Sequence, residues 1–173
     1  MHIFVSLVEE AYMSNKKELI YSYLAGFIDA DGSITITIER SKRKTKTGEK
    51  LQEQYCVKLS AHNCKIEPIQ MLSEEFGGGK IRFKKTGKAK NHDNWRPCYE
   101  WMITKNKAAL AIKLLLPFLL IKKKQAELCL QLDKIKKTHS ASKRRWNPEL
   151  NEKINNQFVL LKSEVNLLNK RGQ

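Results

Sequence analysis

Apolar positions along the chain change period several times, and each change marks an element. Leu19, Ile20, Tyr23, Leu24, Phe27 and Ile28 recur at helical spacing, and Asn15 with Glu18 three positions on reads as a capping box at the start of that helix. After Gly32 the period drops to two: Ile34, Ile36 and Ile38 alternate with Thr35, Thr37 and Glu39, as in a strand with one packed face. The run from Arg40 to Gly48 is too polar to bury and reads as a basic hairpin loop. A second strand returns from Gln54 to Ser60, with Tyr55, Val57 and Leu59 inward and Gln54, Cys56 and Lys58 outward. Residues 66–76 read as a short helix with Pro68 in its first turn, and Gly77-Gly78-Gly79 ends it as a turn whose spacing fits no phosphate-binding loop.

A third strand sets Ile81 and Phe83 inward and Lys80, Arg82 and Lys84 outward, and a basic loop follows at 85–94. A fourth strand, 95–103, carries Tyr99, Trp101 and Ile103 on one face and Arg96, Cys98 and Glu100 on the other. Helices are expected at 105–116 and 121–137. A linker rich in Ser and basic residues (138–145) then leads to Asn147-Pro148 and the stripe Leu150, Ile154, Phe158, Leu161, Val165 and Leu168. The order is α-ββ-α-ββ-α plus C-terminal helices, an α+β fold. Residues 14–173 suit one domain, and residues 1–13 read as an N-terminal extension, a candidate for disorder.

The junction of the first helix and first strand is the stretch Leu24-Ala25-Gly26-Phe27-Ile28-Asp29-Ala30-Asp31-Gly32-Ser33. Ser22, Gly26 and Ala30 repeat every four residues and form a stripe of small side chains that admits a close neighbour. Gly32 is expected to stop the helix as a C-terminal cap. Asp31 is then left at the carbonyl end, where the macrodipole disfavours a negative charge and where orphan carbonyls suit a divalent cation. A capped helix ending in an ordinary Asp-Gly turn is the plain alternative.

Charge sharpens the picture. The chain carries 33 Lys and Arg against 18 Asp and Glu, a net +15, yet residues 1–39 hold two Lys against six acids, so the excess lies entirely beyond residue 39. A basic surface of that size implies a polyanion, nucleic acid before membrane. Cys56, Cys64, Cys98 and Cys129 show neither paired CxxC spacing nor His at zinc spacing, so free thiols in a reducing, intracellular compartment are expected. No apolar run approaches a membrane span, and Met1 to Val8 lacks the basic start and cleavage site of a signal peptide.

The stretch 24–33 resembles the signature of the LAGLIDADG homing endonucleases at every position but Phe27, which stands in place of a Leu. Phe76-Gly77-Gly78-Gly79-Lys80-Ile81 resembles that family's turn into its third strand. Pro117-Phe118-Leu119-Leu120-Ile121-Lys122-Lys123-Lys124-Gln125-Ala126 resembles its segment with the active-site Lys, and residues 167–171 resemble its C-terminal ending. The likeness covers nearly everything from Leu19 onward. It implies the half-site fold αββαββα, with a twisted four-stranded antiparallel sheet on DNA, and a homodimer, since the chain holds one motif. By the same likeness Asp31 is the metal ligand, assisted by the main-chain oxygen of Ala30, and Ser22, Gly26 and Ala30 form the dimer contact. Lys122 is the catalytic Lys, and Mg²⁺ is the cation, with Mn²⁺ or Ca²⁺ able to replace it. Asp29 stays open between a structural and a catalytic role. The chain departs from the family where a Gln is frequent near the end of the second strand: it has Ala61, then His62 and Asn63. A one-residue shift lets His62 serve, with Lys65 at a basic position.

The expected activity is a sequence-specific, metal-dependent double-strand break with short 3′ overhangs at a long pseudo-palindromic site. Alternation nominates Thr35, Thr37, Glu39, Gln54, Lys58, Lys80, Arg82, Lys84, Arg96 and Glu100 for the groove, and Arg40, Lys42, Lys44 and the loop 85–90 for phosphates. An RNA-binding maturase that assists intron splicing is the alternative, and a DNA binder without cleavage is a third reading. The inward placement of most aromatics favours duplex DNA over stacked RNA bases. An organelle or a prokaryotic cytoplasm is the expected location.

Overall fold

The computed structural model describes residues 2–45, 48–84, 97–139 and 146–170. Helix α1 (His2–Asp31) runs directly into β1 (Gly32–Thr45), which pairs with β2 (Gly48–Asn63). Next come α2 (Glu67–Glu75), β3 (Lys80–Lys84), β4 (Cys98–Thr104) and α3 (Lys105–Leu115). A 3₁₀ turn (Leu116–Phe118), α4 (Lys123–Thr138) and α5 (Pro148–Lys170) complete the chain. The expected α+β order therefore holds.

Two boundaries differ from the sequence reading. Asn15 lies inside α1 rather than at its start, and residues 2–13 continue the same helix. No Gly or Pro interrupts that run, so adding helical bonds one residue at a time prevails over a stop. The basic run after Glu39 is strand, not loop: pairing is unbroken from Gly32–Ala61 to Thr45–Gly48. A two-stranded ribbon that leaves the core needs no buried face, and Arg40–Glu53 (2.8 Å) and Lys42–Glu49 (3.3 Å) tie its strands together.

The sheet order is β1-β2-β4-β3, all antiparallel. Ile34, Ile36, Val57, Leu59, Ala61, Trp101 and Ile103 share one face and one core cluster with Leu24, Ile28, Leu72, Ile112, Leu132, Phe158 and Val165 from the helices. Among the described residues the helices pack chiefly on that side. Tyr21, Phe76 and Trp101 form a chain of rings at 6.5 and 6.0 Å that ties α1 to β4. The Trp101 indole N–H donates to the Gly78 carbonyl (3.1 Å) across a turn whose three glycines all have positive φ. β3 is one of the two edge strands: Ile81 and Phe83 face inward as expected but remain partly exposed, with the Phe83 ring on Tyr99.

Candidate active site and nucleic-acid interface

The turn from α1 into β1 depends on Gly32, though not as a left-handed cap. A Cβ there would lie 2.7 Å from both the Cα and the carbonyl oxygen of Ile28, so close approach rather than positive φ requires the glycine. Asp31 emerges exposed at this turn, and its Oδ2 accepts a hydrogen bond from the Asn63 amide (3.0 Å). Asn63 Oδ1 in turn accepts from the Lys65 backbone N–H (2.8 Å). Asn63 ends β2 and was not singled out by spacing, because counting alone did not say which of Ala61, His62 and Asn63 meets the motif. Ala61 is buried in the core opposite Gly32. His62 lies on the other face of the sheet, and the Lys65 side chain is exposed.

Asp29 receives a structural role. Its Oδ2 accepts from the backbone N–H groups of Leu120 (2.7 Å) and Ile121 (3.1 Å), and its Oδ1 from that of Lys122 (2.9 Å). These are orphan donors just before α4, so a carboxylate from α1 caps a helix some ninety residues on. The same clamp fixes Lys122, whose ammonium donates to the Asp29 carbonyl at the C-terminal end of α1, a favourable place for a cation. Burial lowers the Lys122 pKa, and the nearby charges of Asp29 and Asp31 push the other way. Asp31, Asn63 and Lys122 therefore gather at one helix end.

The donor set suits a hard cation. Asp31 offers an exposed carboxylate beside helix carbonyls, Ala30's among them, and Mg²⁺ is commonly held by one or two carboxylates with waters and phosphate oxygens. Among the described residues no group of three or more His, Cys, Asp or Glu gathers.

The sheet face away from the helices carries most of the nominated groove residues. Thr35, Thr37 and Lys58 are half-buried there, and Gln54, Lys80, Arg82 and Lys84 are exposed. Two of the nominated residues are engaged within the fold. Glu39 is not free: Lys105, at the start of α3 with φ 60°, reaches it at 2.6 Å across β2. Cys56 beneath that bridge is buried, and burial raises its pKa. Glu100 is only 7% exposed, with Oε1 3.1 Å from His62 Nε2 and Oε2 3.1 Å from Lys84 Nζ. Burial would raise its pKa, but Lys84, His62 and Lys58 together hold it below the usual carboxylate range. Both carboxylate oxygens of Glu100 are thus engaged within the fold. Arg40 and Lys42 lie exposed on the ribbon, while the Lys44 side chain, Arg96 and the loop 85–90 fall outside the described residues.

Ser22, Gly26 and Ala30 lie on the exposed side of α1, and the Ser22 hydroxyl is satisfied by the Glu18 carbonyl (2.8 Å). Leu19 and Tyr23 on the same side are 72% and 54% exposed, and a Cβ at Gly26 would meet nothing within 4 Å.

The sequence profile of the LAGLIDADG endonuclease family matches residues 24–130. Among solved structures, the homing endonuclease I-CvuI, in complex with the I-CreI target in the presence of Mg, is similar. It is 23% identical over 88% of this chain and 83% of that one, with a TM-score of 0.64. I-TnaI, a homing endonuclease, is 17% identical over 88% of this chain and 97% of that one, at 0.53. The meganuclease I-AabMI bound to uncleaved DNA is 23% identical over 85% of this chain and 44% of that one, at 0.55. No curated protein matches.

Proposed function

Given that the chain belongs to the LAGLIDADG endonuclease family, we propose that it is a sequence-specific, divalent-cation-dependent homing endonuclease. In this reading it acts as a homodimer on a long pseudo-palindromic duplex and leaves short 3′ overhangs. The observation that carries the reading is the convergence of Asp31, Asn63 and Lys122 at the edge of an open polar sheet face. When bound, Mg²⁺ held by Asp31 and the Ala30 carbonyl supplies positive charge at the scissile phosphate and a more acidic water. Asn63 orients the Asp31 carboxylate, leaving its other oxygen for the cation. Lys122, fixed by its backbone on Asp29, directs an ammonium at the phosphate, where negative charge develops. The open face follows the groove while Arg40, Lys42 and their neighbours on the ribbon meet phosphates. Packing of Leu19, Tyr23 and the small stripe against a second copy would bring two Asp31 groups together, one for each strand. An intracellular setting, an organelle or a prokaryotic cytoplasm, fits four free thiols.

The test incubates purified protein with a plasmid carrying the intronless form of its host gene, with Mg²⁺ or with EDTA, alongside Asp31→Asn. Linearisation at one site, dependent on Mg²⁺ and lost in Asp31→Asn, is expected. Binding without cutting would demote the chain to a DNA binder. Neither binding nor cutting would overturn the reading in favour of a role on intron RNA.

A further inference from the structure

On the open face, His62 Nε2 stands between two groups with incompatible demands. Glu100 Oε1, 3.1 Å away, only accepts when ionised, whereas Lys84 Nζ, 3.3 Å away, only donates. One ring nitrogen cannot satisfy both. Lys84 already has a partner in Glu100 Oε2 at 3.1 Å, and Glu100 sits directly opposite His62 in the strand register. For the neutral ring, the consistent arrangement puts the proton on Nε2, donated to Glu100, and leaves Nδ1 as the bare acceptor. Among the described residues Nδ1 has no partner, and the His62 side chain is 42% exposed. Arg82, the residue opposite Glu100 on β3, forms no ion pair among the described residues, so the carboxylate is committed to His62 and Lys84.

Resting on the endonuclease reading, we infer that Glu100 is a positioning residue that fixes the His62 tautomer, so that His62 Nδ1 reads the exocyclic amine of an adenine or a cytosine. Lys84, held on the other carboxylate oxygen, keeps two N–H donors for a neighbouring guanine or phosphate. In the major groove only adenine N6 and cytosine N4 offer a donor, so a fixed acceptor there discriminates against guanine and thymine. Because His62 precedes Asn63, whose amide holds Asp31, this reader is the one next to the cleavage centre. Sequence preference and catalysis thus meet at the end of β2.

Two measurements test this. Ring ¹⁵N NMR of the free protein at mildly alkaline pH is expected to show His62 as the Nε2–H tautomer in the wild type. In Glu100→Gln it should be a tautomer mixture. An Nδ1–H ring in the wild type would overturn the proposal. Selection from a randomised target library then reads base preference for wild type, Glu100→Gln and His62→Ala, each first checked for folding by circular dichroism. His62 is partly exposed, so its truncation keeps the variant series informative even if Glu100→Gln folds poorly. An adenine or cytosine preference of about tenfold at one position in each half-site, lost in both variants with other positions unchanged, is the expected result. An unchanged profile in His62→Ala would overturn the inference. If wild type selects no DNA while the tautomer is as expected, the endonuclease reading itself fails, and the base-reading role with it.

Discussion

Asp29 and Asp31 are separated by a single residue at the end of α1, and their partners divide the work. The Asp29 carboxylate accepts three backbone N–H groups before α4, so Asp29→Ala strands those donors at a part-buried site. A loss on the order of 3 kcal/mol is expected in urea unfolding. Asp31→Asn keeps an acceptor for Asn63 and removes a charge from the unfavourable end of the macrodipole, so its stability should stay within about 0.5 kcal/mol of wild type or rise, while cleavage disappears. Lys122 carries a pH signature. Its pKa is lowered in the fold, chiefly by burial, so the folded chain binds that proton more weakly than the unfolded chain does. The resulting penalty is present below the folded pKa and fades as pH rises towards the ordinary 10.5. Wild-type stability relative to Lys122→Met should therefore climb from neutral towards alkaline pH in paired denaturant titrations. A flat difference would contradict the buried ammonium.

Among the elements, the β1–β2 ribbon separates stability from binding. Its Arg40–Glu53 pair is well exposed on both sides, so Arg40→Ala should change unfolding free energy by no more than about 0.5 kcal/mol. Under the proposed function, the same residue is a phosphate contact on DNA. Its loss should weaken binding to all sequences alike and reduce the slope of log K against log salt by about one unit. Fluorescence anisotropy over a salt series reads both quantities. A change confined to one base position would instead make Arg40 a reader.

For the whole molecule, the exposed side of α1 holds the decisive prediction. A Cβ added at Gly26 meets nothing within 4 Å, and replacing a helical Gly with Leu favours the helix by up to about 1 kcal/mol. Gly26→Leu should therefore fold as well as wild type or better. If two motif helices pack there, it should also sediment as a monomer and lose double-strand cleavage. Sedimentation velocity with a thermal melt separates the two effects, and a variant that still dimerises would move the interface elsewhere. The net +15 bears on the proposed dimer too: two such chains would repel at low salt, and a bound duplex would relieve that repulsion.

Local pattern determined much of this protein. The strand alternation of Ile34 and Ile36 against Thr35 and Thr37, the glycine turn at 77–79 and the α5 stripe follow from periods of 2 and 3.6 and from backbone sterics, which need only neighbouring residues. The stretch 24–33 likewise marked Asp31 as the residue at the end of a helix. Tertiary structure alone decided what crosses long separations. It made Asp29 a cap for residues 120–122 and selected Asn63, rather than His62, as the partner of Asp31. It also buried Glu100, which alternation alone sets outward, and tied it to His62 and Lys84. Hydrogen bonds between residues 32 to 93 positions apart depend on how elements pack, and no periodicity within one element encodes that.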